Sequence, residues 1–308
     1  FHIPGIFDKI LDITECHLQA EPSNAIRNRI RDYTLSKNLR YYSIKQNEGF
    51  LRNIIVRTAS SGEVMLIVVL AGEKKDEMFP LLDFIKTEFP EITSLYYIIN
   101  SKHNDSLADQ TPVHYHGSEF ITEVMEGFRF RVGPKSFYQT NSRQAARLYN
   151  VARSFASLTG AEIVYDLYTG TGTIACFVAP YAKKVIGIEY IEEAVADARV
   201  NAVENNISNT TFLAGDIKDV FTDDFMEVQG RPDVIITDPP RAGMHEDVVS
   251  AILRSGAKRI VYVSCNPATQ ARDIGLLSAG YDVIKVQPVD MFPQTFHVEN
   301  VVMMEKKG

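Results

Sequence analysis

Four short stretches of this sequence carry side chains whose types and spacing suit chemistry. The first is Ser264-Cys265-Asn266-Pro267. A free cysteine within apolar sequence is usually a small buried hydrophobe, and that reading fits Cys176 in Ile174-Ala-Cys-Phe-Val178. Cys265 instead closes an apolar run and is bracketed by Ser, Asn and Pro, a setting in which a thiolate can serve as a covalent nucleophile. The second stretch is Thr237-Asp238-Pro239-Pro240-Arg241. Its prolines preset φ and stiffen the turn, so Asp238 is expected to face a reacting group at a fixed distance. In the third, Phe296-His297-Val298-Glu299-Asn300, Glu299 is a candidate general base. His297 is expected on the same side of a strand as Glu299, as a supporting residue and not a catalytic one.

The fourth stretch is Asp166-Leu-Tyr168-Thr-Gly170-Thr-Gly172-Thr173. Gly170 and Gly172 allow a sharp turn and close approach of a ligand to the backbone. A lone G-x-G says little, but roughly 20 residues further on Glu189 closes another apolar run, where an acid can take a ribose diol. Gly215-Asp216 closes a third, and its acid could receive an adenine amino group. A dinucleotide-binding turn reads G-x-G-x-x-G, whereas Thr173-Ile174-Ala175 follows here. Asp166 at the turn entrance suits a cationic amino-acid moiety better than a pyrophosphate. The arrangement resembles the S-adenosylmethionine site of class I methyltransferases.

These stretches need a frame that brings them to one edge. From Asn141 onward the sequence alternates helices and apolar strands: a helix over Ser142–Leu158, then strands at Ile163–Leu167, Val185–Glu189, Thr211–Ala214, Val234–Asp238, Arg259–Ser264, Val283–Val289 and His297–Met304. Such βα alternation predicts an α/β domain with a parallel sheet covered on both faces, binding ligands at the carboxyl ends of its strands. Nearly all of these stretches fall at such ends, while Phe296–Asn300 enters the final strand. The first 135 residues are expected to form a smaller α+β domain, with residues 136–308 as the second. In it we expect a helix over Ala25–Leu35 capped by Ser23, strands at Asn53–Thr58, Val64–Leu70 and Ser94–Ile99, and a helix at Asp76–Glu88. Paired strands are expected around Glu126-Gly127.

Taken together, Phe137-x-Gln139-x-Asn141, Asp166-Leu-Tyr-x-Gly-x-Gly, Asp238-Pro-Pro-Arg-x-Gly, Ser264-Cys265-Asn266-Pro267 and His297-x-Glu299 resemble the RNA uracil-5-methyltransferase family. The resemblance implies transfer of a methyl group from S-adenosyl-L-methionine to carbon 5 of a uridine, with Cys265 as nucleophile, Glu299 as proton-abstracting base and Asp238 facing the base. It implies cofactor contacts from Gln139, Tyr168, Gly170, Thr173, Glu189, Asp216 and Asp238, and substrate contacts from Phe137 and Arg241. Two departures touch the methionine end of the cofactor: Tyr168-Thr169-Gly170 stands where Phe-Cys-Gly is common, and Thr173 where an Asn is frequent. A cytosine-5 RNA enzyme would usually carry a cysteine in the Asp238 loop. An exocyclic-amine enzyme would carry Asp-Pro-Pro-Tyr and no nucleophilic cysteine, and a silent RNA-binding module would not need this set of acids.

The family also usually carries an N-terminal β-barrel RNA-binding domain, and many members hold an iron–sulfur cluster on four cysteines. Cys16 matches the last of these, and one cysteine cannot hold a cluster. Any cluster is therefore expected only in a longer protein, of which this chain reads as a piece. No metal is expected in the chain itself.

Composition sets the remaining bounds. The net charge is −7, with 45% apolar and 23% charged residues, an ordinary globular balance. No apolar run reaches the roughly 18 residues of a membrane span, and FHIPGIFDKI lacks the character of a signal peptide. Three dispersed cysteines fit a reducing cytoplasm. Arg129, Arg131, Lys135, Arg143 and Arg147 form one basic run, and Arg27, Arg29, Arg31, Lys37 and Arg40 another. The expected partner is RNA, with 23S rRNA favoured and tRNA the alternative; no membrane partner is expected, and the chain is expected to be monomeric.

Overall fold

The computed structural model describes residues 2–3 and 5–308, so Phe1 and Pro4 of the opening segment lie outside the described residues. The described residues form two compact units, those up to 122 with 132–135, and residues 123–131 with 136–308. These units differ from the expected division at 135/136 in the tip 123–131, because Met125 and Phe130 pack into the core of the second unit.

The first unit opens with an antiparallel pair, β1 (His2–Ile3) and β2 (Ile6–Ile10). Then come α1 (Ser23–Ser36), β3 (Leu51–Thr58), β4 (Val64–Leu70), α2 (Lys75–Glu88), β5 (Ile92–Ile99) and β6 (Val113–Gly117). The sheet order is β3-β4-β5-β6. Every residue of β4 is buried, as its unbroken apolar sequence requires of a strand covered on both faces. Its Leu66, Val68 and Leu70 pack with Ile26 and Ile30 of α1 and with Leu81, Leu82 and Ile85 of α2. Ser23 is not the cap of α1. It lies inside the helix and makes no capping bond, and Glu21 supplies the acceptor instead, to Asn24 Nδ2 at 2.9 Å and Ala25 N at 3.4 Å. The polar edge strand β6 has no apolar alternation to announce it. The hairpin β7 (Ile121–Met125) and β8 (Phe128–Val132) turns at Glu126 and Gly127, with φ of 47° and 88°. Positive φ at both central residues is what a tight type I′ hairpin needs.

The second unit continues with α3 (Ser142–Ala156), β9 (Ile163–Leu167), α4 (Thr173–Val178), β10 (Lys184–Glu189), α5 (Glu192–Glu204) and β11 (Thr210–Ala214). Next are α6 (Ile217–Val220), α7 (Asp223–Gln229), β12 (Val234–Thr237), α8 (Glu246–Ser255) and β13 (Arg259–Ser264). The chain ends with α9 (Pro267–Leu277), β14 (Tyr281–Val289) and β15 (Glu299–Lys306). The seven strands lie in the order β11-β10-β9-β12-β13-β15-β14.

The expectation of a wholly parallel sheet is corrected here. β15 runs antiparallel to both β13 and β14, because the link over residues 290–298 is shorter than the dozen or more residues of a crossover. His297 lies in that link, ahead of the strand, so it does not share a strand face with Glu299.

Helices cover both faces. Ala145, Leu148, Ala152 and Ala156 of α3, spaced three and four apart as an apolar stripe, pack with Val164, Ile236, Val261 and Val301. Tyr165, Ile235, Ile260 and Tyr262 pack on the other face with Val248 and Ile252 of α8. Asn141 caps α3 by accepting from Gln144 N at 3.2 Å, and Ser157 in the left-handed region ends it. The chain runs outward from β9 to β10 and β11, then returns to β12 on the other side of β9. This is the topological switch point at which open α/β sheets bind ligands. Among the described residues no helix is long and apolar enough to cross a membrane.

Candidate active site

The nucleophile candidate and the base candidate meet through strand register. Ser264 of β13 pairs antiparallel with Asn300 of β15. Cys265 directly follows that pair and Glu299, the first residue of β15, directly precedes it, and the Glu299 charge reaches the Cys265 thiol. Glu299 is 6% exposed, and burial raises its carboxyl above the ordinary range while the Arg241 guanidinium pulls it back. Cys265 is half-buried. Burial pushes its thiol up, the Glu299 and Asp238 carboxyls push it further, and Arg241 opposes them.

Asp238 follows β12 directly, its N–H donating to Leu167 O at 3.3 Å. Burial, then the neighbouring Glu299 and Asp166, push its carboxyl up to about 8. The loop it opens is tied down along its length. Gly243 N donates to Pro240 O at 2.8 Å. Asn266 Nδ2 and Thr269 Oγ1 donate to Arg241 O at 3.0 and 3.1 Å, and Arg272 Nη2 donates to Ala242 O at 2.9 Å. The fully buried Asp273 accepts from Met244 N at 2.8 Å and from Tyr262 Oη at 2.6 Å. A side chain at Gly243 would strike Arg272 Nη2 at 2.5 Å and Asp273 Oδ2 at 2.6 Å, so only glycine fits there.

The glycine turn follows β9. Tyr168, Gly170 and Gly172 all hold positive φ, of 63°, 55° and 75°. For a tyrosine this is a sparsely populated conformation of the kind that clusters at functional sites. Glu189 fixes the turn, accepting from Gly170 N and Ile191 N at 3.0 Å each. Asp166 is wholly buried, and Thr169 Oγ1 donates to its Oδ2 at 2.6 Å. Burial pushes Asp166 up to about 7 against the pull of that hydroxyl.

Three features fit S-adenosylmethionine at this edge. Asp166 Oδ1 is buried and makes no hydrogen bond of good geometry among the described residues, the Ala175 N–H being the only other donor drawing on this carboxyl beside Thr169, which leaves it an acceptor for a cationic amino group. A Cβ added at Gly170 would meet open space. An open depression of about 460 Å³, lined by Tyr190, Ile191, Glu192, Glu193, Ala214 and Gly215, lies beyond the ends of β10 and β11. Tyr168 stands close enough to Asp216, Asp273 and Glu189 for their charges to reinforce what burial does, lifting its phenol to about 12.

The residues expected from sequence therefore gather in two groups, Cys265, Glu299, Asp238 and Arg241 on one side, and Tyr168, Gly170, Glu189 and Asp216 on the other. Asp216 also caps α6 through Lys218 N at 3.2 Å and pairs with Lys218 Nζ at 3.2 Å. Thr173 is buried, its hydroxyl 3.3 Å from that of Thr171. Gln139 is half-buried in the segment leading into α3, and Phe137 is 74% exposed.

Sequence reading missed Tyr149 of α3. It is buried among Asp238, Tyr138, Asp166 and Glu299, and burial followed by those acids holds its phenol well above the ordinary value. Its place on the apolar stripe of α3 disguises it as core. Asp273, the seventh residue of α9, was missed as well, and only its tertiary partners reveal it.

A sheet of this order, with a glycine turn after β9 and an acid ending β10, defines the class I methyltransferase fold. The family match is narrower. A profile of the tRNA (uracil-5-)-methyltransferase family matches residues 116–307. An uncharacterised RNA methyltransferase from Porphyromonas gingivalis is 58% identical over 308 residues, covering 99% of this chain and 66% of that protein. One from Bacteroides thetaiotaomicron, described in the same words, is 59% identical, covering 99% and 68%. The crystal structure of the Pyrococcus abyssi tRNA (uracil-54, C5)-methyltransferase in complex with S-adenosyl-L-homocysteine is 32% identical, with a TM-score of 0.81 over 96% of this chain and 70% of that one. This chain belongs to the tRNA (uracil-5-)-methyltransferase family, and it spans about two thirds of the length of the curated relatives it matches.

Proposed function

We propose that this chain carries the catalytic part of an enzyme that methylates carbon 5 of a uridine in RNA. The observation that carries the reading is the meeting of Cys265 with Glu299, Asp238 and Arg241, whose charges all act on its thiol, at the end of the ladder that pairs Ser264 with Asn300. Uracil carbon 5 is a poor nucleophile. Bond formation between Cys265 Sγ and carbon 6 breaks the C5=C6 π bond and delivers its electrons to carbon 5 and the adjacent carbonyl, dividing a difficult step into easier ones. S-adenosylmethionine, held by Tyr168, Gly170, Glu189 and Asp216 with Asp166 toward its amino group, supplies the methyl. Glu299 then takes the proton from carbon 5, the C5=C6 bond re-forms, and Cys265 leaves as thiolate. Raised above the ordinary carboxyl range by burial, Glu299 is a stronger base than an exposed glutamate, as this step requires.

The proposed target is a uridine of 23S rRNA, on the overall resemblance of the sequence alone. The tRNA reading stands second, favoured by the activity in the name of the Pyrococcus abyssi protein. The proposed RNA grip includes the first 135 residues. RNA carrying 5-fluorouridine at the target should form a denaturation-resistant adduct with the wild type and none with Cys265→Ala, since fluorine cannot leave as a cation. Absence of adduct from a wild type that still transfers labelled methyl to RNA would overturn the covalent route. Mapping 5-methyluridine in RNA from cells with and without the gene separates the two targets.

A further inference from the structure

The link between β14 and β15 presents an aromatic ring that packing does not explain. Met291 anchors the link, being fully buried. Thr295 N and Oγ1 both donate to Phe292 O, at 3.1 and 2.7 Å, closing a compact turn. Directly after the turn stands Phe296, 88% exposed, with its ring 4.2 Å from that of His297. A phenylalanine contributes stability by leaving water, and this one hardly leaves it.

Its position is informative. Phe296 precedes Glu299 by three residues, so their Cα atoms lie within about 10 Å. Cations are borne by neighbouring elements. Arg241 is exposed and acts on both Glu299 and Cys265. Gln144 Nε2 donates to Asp290 O at 2.7 Å and Asn141 Nδ2 to Met291 O at 2.9 Å. These bonds fasten the first turn of α3, with the exposed Arg143 and Arg147, to the start of the link. An open aromatic face on a link tied to arginine-bearing elements matches the pattern with which proteins hold unpaired nucleic acid, phosphates on the cations and a base on the ring.

We infer that Phe296, backed by His297, is a stacking platform for an unpaired base neighbouring the target uridine, so the chain takes single-stranded or locally opened RNA. The inference rests on the proposed function only in placing that uridine at Cys265. A target drawn out of its stack leaves its neighbours without a partner on one face, and Phe296 supplies one.

The test compares two fluorescein-labelled 12-nucleotide strands, one of adenosine and uridine and one of abasic ribose phosphates, by fluorescence anisotropy. The wild type should bind the strand with bases more tightly, by between about fivefold and about a hundredfold. Phe296→Ala should lose most of that preference and Phe296→Trp keep it, with the melting temperature and salt slope of both variants unchanged. Equal binding of both strands by the wild type, or a full preference retained by Phe296→Ala, overturns the platform. A wild type that shows the preference yet transfers no methyl to uridine overturns the catalytic reading and leaves the platform standing. A wild type that methylates while Phe296→Ala keeps its preference overturns the platform alone.

Discussion

The end of the β13–β15 ladder brings Cys265 and Glu299 together: Ser264 pairs with Asn300, and the Glu299 charge acts on the Cys265 thiol next to that pair. The proposed nucleophile and base, so placed, can act on adjacent carbons of one ring. Glu299→Gln keeps the shape of the side chain but cannot accept a proton. Thiol addition and methyl transfer should proceed, while elimination slows by roughly 10²–10⁴-fold, the usual worth of a general base. A methylated protein–RNA adduct should then accumulate on ordinary uridine, visible as a labelled, shifted band on a denaturing gel. Normal turnover, or inactivity without labelled adduct, would assign the proton to another group.

That pairing could not be read in the sequence. The alternation of apolar strands and helices was legible, and with it the strand ends that hold Asp166, Glu189, Asp238 and Cys265. The reversal of β15 was not. Local sequence shows where a strand lies but not which neighbour it takes, and β15 inserts between β13 and β14. The same gap hid Tyr149 and Asp273, one resembling an ordinary core aromatic and the other a helix-surface acid. His297 was misplaced because a two-residue period was carried past the true start of the strand.

Arg241 should set the pH range of the reaction. Burial and two carboxyls raise the Cys265 thiol, and Arg241 is the cation that opposes them. The thiolate is the reactive form, so adduct formation should rise with pH. Arg241→Gln should shift that limb further toward alkaline pH, with loss at neutral pH that partly recovers as the pH is raised. An unshifted limb would leave Arg241 a substrate contact only.

Asp273 should hold the Asp238 loop in shape without touching the substrate. Asp273→Ala strips Met244 N and Tyr262 Oη of their shared acceptor, at a cost of about 1–3 kcal/mol for each buried group left unpaired. Asp273→Asn keeps an acceptor of the same size and should recover most of the lost melting temperature and methyl transfer. The variant Asp273→Ala with wild-type turnover would show that the clamp is dispensable.

The basic run from Arg129 to Arg147 divides by ion pairing. Arg131 pairs with Glu204, whereas Arg129 and Arg143 are exposed with no ion pair shown among the described residues. The second run is similarly committed, Arg29 to Glu88 at 2.7 Å and Arg31 to Asp12. Removing a cation that neutralises one phosphate should lower the salt slope of RNA binding by about 0.7–0.9. Arg129→Gln with Arg143→Gln should therefore flatten the slope by roughly 1.5, and Arg131→Gln by clearly less. Equal slopes in all variants would make the run a solvated face.

Asp166 should make the stability of the ligand-free protein fall with pH. Burial raises its folded value to about 7, against about 3.9 in the unfolded chain. Between these values the folded protein holds a proton that the unfolded chain has released, so stability declines as pH rises. The contribution is fully present below about pH 4 and gone once the pH passes about 7. Its ceiling is on the order of 4 kcal/mol, from roughly three units at 1.36 kcal/mol each. Asp238, raised to about 8, acts in the same direction over a wider range. Asp166→Asn keeps an acceptor for Thr169 and removes the titration. Its melting temperature should therefore fall less between pH 5 and pH 8 than that of the wild type. A cation beside Asp166 favours the ionised carboxyl, so S-adenosylhomocysteine should stabilise the wild type more at pH 8 than at pH 6, and Asp166→Asn should lose that difference. Thermal scans at the three pH values decide it: a variant that follows the wild type throughout would place the proton uptake on another group.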